Sequence, residues 1–273
     1  MNGAVKITKT VKRSLKVIPN SLTLCNSLCG FWAILNTLNA YDRDVPMDSS
    51  IVEIFAVSAW LILSAMIFDA LDGFAARLFN ASSMHGIQMD SLADMVTFGV
   101  APATVMAILT HKLRGTMTRP QEFFTYLWCA VYLGGAALRL ATYNVHAIIE
   151  KKSDDVFSGL PSPGAAAAVC SVVLFAEGAH INLDRIAPWL PVYAAVLGLL
   201  MVSPVPYIHF GKWLVNLRRH PKQSWLLAAI VLTAVLFRGA GILVMITLYV
   251  LSGPAVWLCG RIVGRRLRPL EDA

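Results

Sequence analysis

Two pairs of aspartates stand where carboxylates are expensive. Asp69 and Asp72 are three residues apart, Asp90 and Asp94 are four apart, and each pair lies in or borders an apolar run. At those spacings the two members of a pair share one helix face. A charged side chain inside a membrane segment costs about 3 kcal/mol or more and signals function rather than packing. The first pair closes one apolar segment and the second opens the next, with Arg77 and His85 in the connecting stretch. Both pairs therefore fall at the same end of two antiparallel helices. Facing carboxylates repel, and a divalent cation removes the repulsion. All-oxygen ligation suits Mg²⁺ or Mn²⁺, with Ca²⁺ less specific. The cluster has room for one or two ions, and two would match the arrangement used for phosphoryl displacement. Spacing alone also leaves open a cation or proton pathway and a structural cap on a helix hairpin.

The elements that position these groups are membrane helices. Of 273 residues, 57% are hydrophobic and only 14% charged, against about 25% charged in a soluble domain. That composition excludes a disordered chain, a disulfide scaffold and a secreted protein. Apolar runs at 20–40, 51–77, 88–110, 122–148, 161–181, 186–206, 223–237 and 239–260 predict an all-α, polytopic bundle of about eight spans. The seventh is short, so a re-entrant hairpin with the eighth stays open. The run from Ser21 to Ala40 exceeds a signal-peptide core and reads as an uncleaved first span. Ala165 to Ala168 fits close helix packing.

Charge sets the expected orientation. With both termini inside, 16 Lys and Arg fall on the cytoplasmic side and 6 outside, Arg139 lying within a span. This bias places both termini and the aspartates at the cytoplasmic face. The basic surplus thus needs no nucleic acid. The expected divisions are a basic amphipathic segment at 1–19, a six-helix core at 20–206, and a C-terminal helical hairpin with a basic tail at 207–273. Cys25, Cys29, Cys129, Cys170 and Cys259 are odd in number, lack CxxC spacing and read as small apolar fillers.

The segment Asp69-Ala-Leu-Asp72-Gly73-Phe-Ala-Ala76-Arg77, eight further residues, then Gly86-Ile-Gln-Met-Asp90-Ser-Leu-Ala-Asp94 resembles the full signature of the CDP-alcohol phosphotransferase family, DxxDGxxAR(x8)GxxxDxxxD. Pro19-Asn20-Ser-Leu-Thr23-Leu-Cys-Asn26 resembles the PNxxTxxN start of the family's first helix. Asp90-Ser-Leu-Ala-Asp94 through Ala103 and Phe157-Ser-Gly-Leu-Pro161-Ser-Pro163-Gly resemble runs found in the branch that acts on serine. The resemblance covers roughly residues 18 to 168; the rest carries only hydropathy. It implies a membrane enzyme, commonly a homodimer, that uses Mg²⁺ or Mn²⁺ to move a phosphatidyl group from CDP-diacylglycerol to an alcohol, here L-serine, releasing CMP. A prokaryotic cytoplasmic membrane is the expected location.

On this resemblance Asp69, Asp72, Asp90 and Asp94 are metal ligands, and Asp94 is also the catalytic base. Thr23, Asn26, Gly73, Ala76, Arg77 and Gly86 are the nucleotide and phosphate contacts. Two alternatives stand beside these: Thr23 and Asn26 as plain interhelical contacts, and the glycines as tight helix packing. Arg139, embedded in the fourth apolar run, needs an anion: the serine carboxylate or a phosphate if it heads the acceptor pocket with Asn144, Ser158 and Ser162, or else Glu53 or one of the four aspartates. The pattern departs from the serine branch at Thr142 and Tyr143, where RLARFN has Arg and Phe, and Phe74 is unusual after the Asp-Gly pair. Within the family, glycerol 3-phosphate or inositol as acceptor and an ether-lipid donor remain alternatives; from another class, a cation transporter.

Overall fold

The computed structural model describes residues 17–42, 49–79, 84–149, 157–179, 184–207 and 238–267. The basic segment at 1–16 and the seventh apolar run at 223–237 lie outside them. The described chain is helical: α1 Val17–Asp42, α2 Ser49–Leu78, α3 Met84–Asp94, a π-helical turn Met95–Val100, α4 Ala101–Arg114, α5 Arg119–Ile149, α6 Ser162–Ala179, a 3₁₀ turn Ala187–Trp189, α7 Leu190–Val202 and α8 Arg238–Leu267. One small antiparallel pair is added, with β1 Phe157–Ser158 against β2 Pro206–Tyr207.

Among the described residues, five helical stretches are long and apolar enough to cross a membrane: Val17–Tyr41, Ile51–Leu78, Met84–Arg114, Arg119–Val145 and Gly239–Cys259. The fifth and sixth expected spans form shorter apolar helices, Ser162–Gly178 and Ala187–Val202. Proline explains the shortening. Pro161 precedes α6, Pro188 and Pro191 stand at the start of α7, and Pro204 follows it. Proline opens helices readily but cannot continue one without losing a hydrogen bond.

α1 packs most extensively on α2, α5 on α7, and α8 on α6. Between α1 and α2, Asn36 donates to Ile54 O at 2.7 Å and to Ser58 Oγ at 3.0 Å, and Thr37 donates to Ser58 Oγ at 2.9 Å. Interhelical hydrogen bonds of this kind contribute about 0.6 kcal/mol each in a membrane. Ala165, Ala166 and Ala168 on α6 are wholly buried, as their run predicts. α1 also comes very close to the π turn. A Cβ on Gly30 would lie 2.7 Å from the Thr97 Cα, so only glycine fits there.

The third apolar run was expected as one regular helix, and it contains a π turn instead. Pro102 has no N–H and its ring would press on the carbonyl of Phe98, four residues back. The wider turn relieves this, with the Ala101 N–H reaching Val96 O. The Phe98 carbonyl is satisfied from outside the helix by the Tyr132 hydroxyl of α5 at 2.8 Å, a buried bond.

Candidate active site

α2 carries Asp69 and Asp72 in its last three turns, and α3 carries Asp90 and Asp94 just before the π turn. The fold brings Asp69, Asp72 and Asp90 together so that one carboxylate oxygen from each lies within 4.8 Å of the others. That set can hold a metal ion. Asp90 Oδ1 is buried and accepts no hydrogen bond, an uncompensated acceptor that a cation would satisfy. The donors are all hard oxygens, as Mg²⁺, Mn²⁺ or Ca²⁺ require.

Asp94 stands outside this group of three. It is 9% exposed, and Asn26 Nδ2 of α1 donates to its Oδ1 at 3.0 Å. Asp72 is matched from the same helix. Thr23 Oγ lies 2.7 Å from Asp72 Oδ2 and 3.1 Å from Pro19 O, its single proton serving one acceptor at a time. Thr97 in the π turn donates to Asn26 O at 3.0 Å, which fixes Asn26 in turn. The structure thus places Thr23 and Asn26 on aspartates, as interhelical contacts.

Gly73, Ala76 and Arg77 follow along the end of α2. A Cβ on Gly73 would meet only Arg77 Nη1, at 3.7 Å, so no helix packing requires glycine there. Ala76 is half-buried and Arg77 exposed. Gly86 is the third residue of α3, half-buried, across the connection.

Of the four acceptor candidates, the structure separates Asn144 from the others. Its Oδ1 accepts from Ser91 Oγ at 2.8 Å, beside Asp90, so it ties α5 to the aspartate helix. Arg139 is half-buried on α5, and its Nη1 lies 3.5 Å from Met201 O at the end of α7. The loop after β1 closes over it. Gly159 has φ +90°, and a Cβ there would come within 3.1 Å of Arg139 Nη1. The Gly159 N–H donates to Val205 O and the Leu160 N–H to Leu200 O, pinning this loop to the end of α7. Ser162 is buried at the start of α6, in the same stretch. Ser158 lies in β1; its side chain falls outside the description.

Two participants escaped the motifs. Ser91 sits inside the Asp90–Asp94 signature but was not singled out. Tyr143, noted only as a departure, lies within electrostatic reach of Asp90, Asp69, Asp94 and Arg77, and of Arg139 one turn back.

This geometry offers a carboxylate cluster that can hold a metal ion, with Asp94 bonded to Asn26 next to it and Arg139 beneath the Gly159 loop. The sequence model of CDP-alcohol phosphatidyltransferases matches residues 16–202, from α1 to the end of α7. The chain belongs to that family. The CDP-alcohol phosphatidyltransferase region thus contains the four aspartates, Thr23, Asn26 and Arg139. Relatives agree on one activity. The CDP-diacylglycerol–serine O-phosphatidyltransferase of Helicobacter pylori (strain ATCC 700392 / 26695) is 32% identical over 207 residues, 75% of this chain and 81% of the relative. That of Bacillus subtilis (strain 168) is 32% identical over 201 residues, 72% of this chain and 93% of the relative. That of Saccharomyces cerevisiae (strain ATCC 204508 / S288c) is 33% identical over 153 residues, 54% and 50%.

Proposed function

We propose that this chain transfers the phosphatidyl group of CDP-diacylglycerol to the hydroxyl of L-serine, giving phosphatidylserine and CMP. The observation that carries this reading is the carboxylate trio of Asp69, Asp72 and Asp90 with Asp94, hydrogen-bonded by Asn26, beside it. The serine-specific names of relatives that share most of the chain support the acceptor.

Asp69, Asp72 and Asp90 would hold Mg²⁺ or Mn²⁺, which when bound would neutralise phosphate charge. Arg77, whose fork fits phosphate oxygens, adds charge at the exposed end of α2. The open face of Gly73 lets the nucleotide approach the backbone. Asp94 takes the proton of the serine hydroxyl. One of its oxygens is occupied by Asn26, which orients the carboxylate and leaves the other to accept the proton. The serine oxygen then bonds to the phosphorus that carries diacylglycerol, and the bond from that phosphorus to the CMP oxygen breaks. Among the described residues no histidine or cysteine joins the carboxylate trio, and direct displacement with Asp94 as base needs no protein nucleophile. Arg139, under the Gly159 loop, receives the serine carboxylate. The acyl chains remain in the bilayer, beside exposed Leu71, Phe74 and Leu78 on α2.

The same reading has the protein in a cytoplasmic membrane with the aspartates on the cytoplasmic side, from the 16-to-6 basic bias, and as a homodimer, from the family resemblance alone. The division at residue 206 between catalytic core and C-terminal hairpin belongs to it too. The test is CMP release from CDP-diacylglycerol by purified protein with Mn²⁺ or Mg²⁺, with serine, glycerol 3-phosphate and inositol offered separately. Release with serine alone supports the assignment. Release with another acceptor keeps the chemistry and overturns the serine pocket.

A further inference from the structure

Helix α8 lies beyond the family-matched residues, yet it is built into the wall around Arg139. Tyr207 of β2 donates its hydroxyl to Val250 O of α8 at 2.9 Å. The Tyr207 ring lies flat on α8 where Gly253 has no side chain; a Cβ there would sit 2.5–2.7 Å from three ring carbons. Tyr249, one residue before Val250, packs its ring 5.8 Å from that of Tyr207. Its Cε1 would be 3.1 Å from a Cβ on Gly164, the third residue of α6. Tyr249 also interacts electrostatically with Arg139. The elements form a chain: α8 holds β2, β2 pairs with β1, β1 leads into Gly159, and Gly159 covers Arg139, which interacts electrostatically with Tyr249 of α8.

We propose that Tyr249 is a positioning residue for the acceptor site. Its hydroxyl aligns the Arg139 guanidinium for a small carboxylate-bearing alcohol, so α8 completes the pocket although it lies outside the matched region. The inference rests on Arg139 receiving the acceptor, as proposed above. It separates the two substrates physically. The lipid donor is held on α2 and α3, whereas Tyr249 packs on Tyr207 and beside Gly164, on the Arg139 side.

The test is steady-state kinetics of the purified full chain, varying serine and CDP-diacylglycerol in turn, for wild type, Tyr249→Phe and Leu248→Ala. Tyr249→Phe keeps the ring on Gly164 and Tyr207 and removes only the hydroxyl. Leu248, 65% exposed on the same helix, is the control. The expected result is a serine KM raised about tenfold in Tyr249→Phe, with kcat, the KM for the lipid and the thermal midpoint near wild type. Leu248→Ala is expected to match wild type throughout. An unchanged serine KM in Tyr249→Phe, or a fall in kcat at constant KM, overturns the role of Tyr249 alone. A wild-type protein that turns over lipid with no serine dependence overturns the serine assignment and, with it, this inference.

Discussion

Asn26 Nδ2 donates to Asp94 Oδ1 at 3.0 Å, joining the first helix to the aspartate helix across 68 residues. The bond gives Asp94 a side-chain donor from another helix. Removing it leaves a buried carboxylate short of a donor and free to rotate. Asn26→Ala is therefore expected to lower kcat about ten- to a hundredfold with little change in the KM for CDP-diacylglycerol. Initial rates of CMP release check this; an unchanged kcat would remove Asn26 from the account.

Thr23 acts on the metal group rather than on the base. Its hydroxyl supports Asp72 at 2.7 Å. Groups that orient a ligand from behind typically contribute 10- to 100-fold in metal affinity. Thr23→Val is expected to raise the Mn²⁺ concentration needed for half-maximal activity by about that factor, and Thr23→Ser to restore it. Metal titrations of the three proteins decide between this and a purely structural hydroxyl.

The aspartates were legible in the sequence because carboxylates at three- and four-residue spacing have no cheap explanation in an apolar helix. Thr23 and Asn26 were legible as polar residues at the same end, but not as their partners. Which polar groups meet across helices depends on rotation about each axis, and a membrane helix hides that rotation. Its lipid-facing and protein-facing sides are both apolar, so periodicity does not say which side packs. The same ambiguity concealed the docking of α8 on α6. The β1–β2 pair was hidden for another reason: two residues per strand, one of them Pro206, leave no alternation to read. Pro102 disturbs the third span, and its remedy, Tyr132, lies on another helix.

That remedy is itself testable. Tyr132→Phe strips the buried Phe98 carbonyl of its donor in the turn that follows Asp94. Leaving such an acceptor unsatisfied costs about 1–3 kcal/mol. The variant is expected to unfold at a lower temperature in detergent and to lose activity through the shifted Asp94. Thermal unfolding monitored alongside CMP release would show both changes; an unaltered midpoint would contradict the role given to this bond.

The carboxylates carry opposed expectations for stability. Without metal, Asp69→Asn removes one of the mutually repelling charges and is expected to raise the thermal midpoint. With millimolar Mn²⁺, wild type gains stability by binding the ion, whereas the variant gains little. Midpoints with chelator and with Mn²⁺ give all four values. A metal-dependent rise of equal size in both proteins would place the ion elsewhere.

Direct displacement predicts the stereochemistry. With a chiral phosphorothioate or isotopically chiral donor, configuration at the attacked phosphorus should invert. Retention would require two displacements through a covalent enzyme intermediate, with a carboxylate acting as nucleophile and not as base.

The most direct test supplies purified full-length protein with CDP-diacylglycerol, isotope-labelled L-serine and Mn²⁺. The expected result is labelled phosphatidylserine and CMP in one-to-one yield, abolished by chelator and reduced about a thousandfold or more in Asp94→Asn. CMP formed without label entering lipid, or full activity in Asp94→Asn, would contradict transfer to serine with Asp94 as the base.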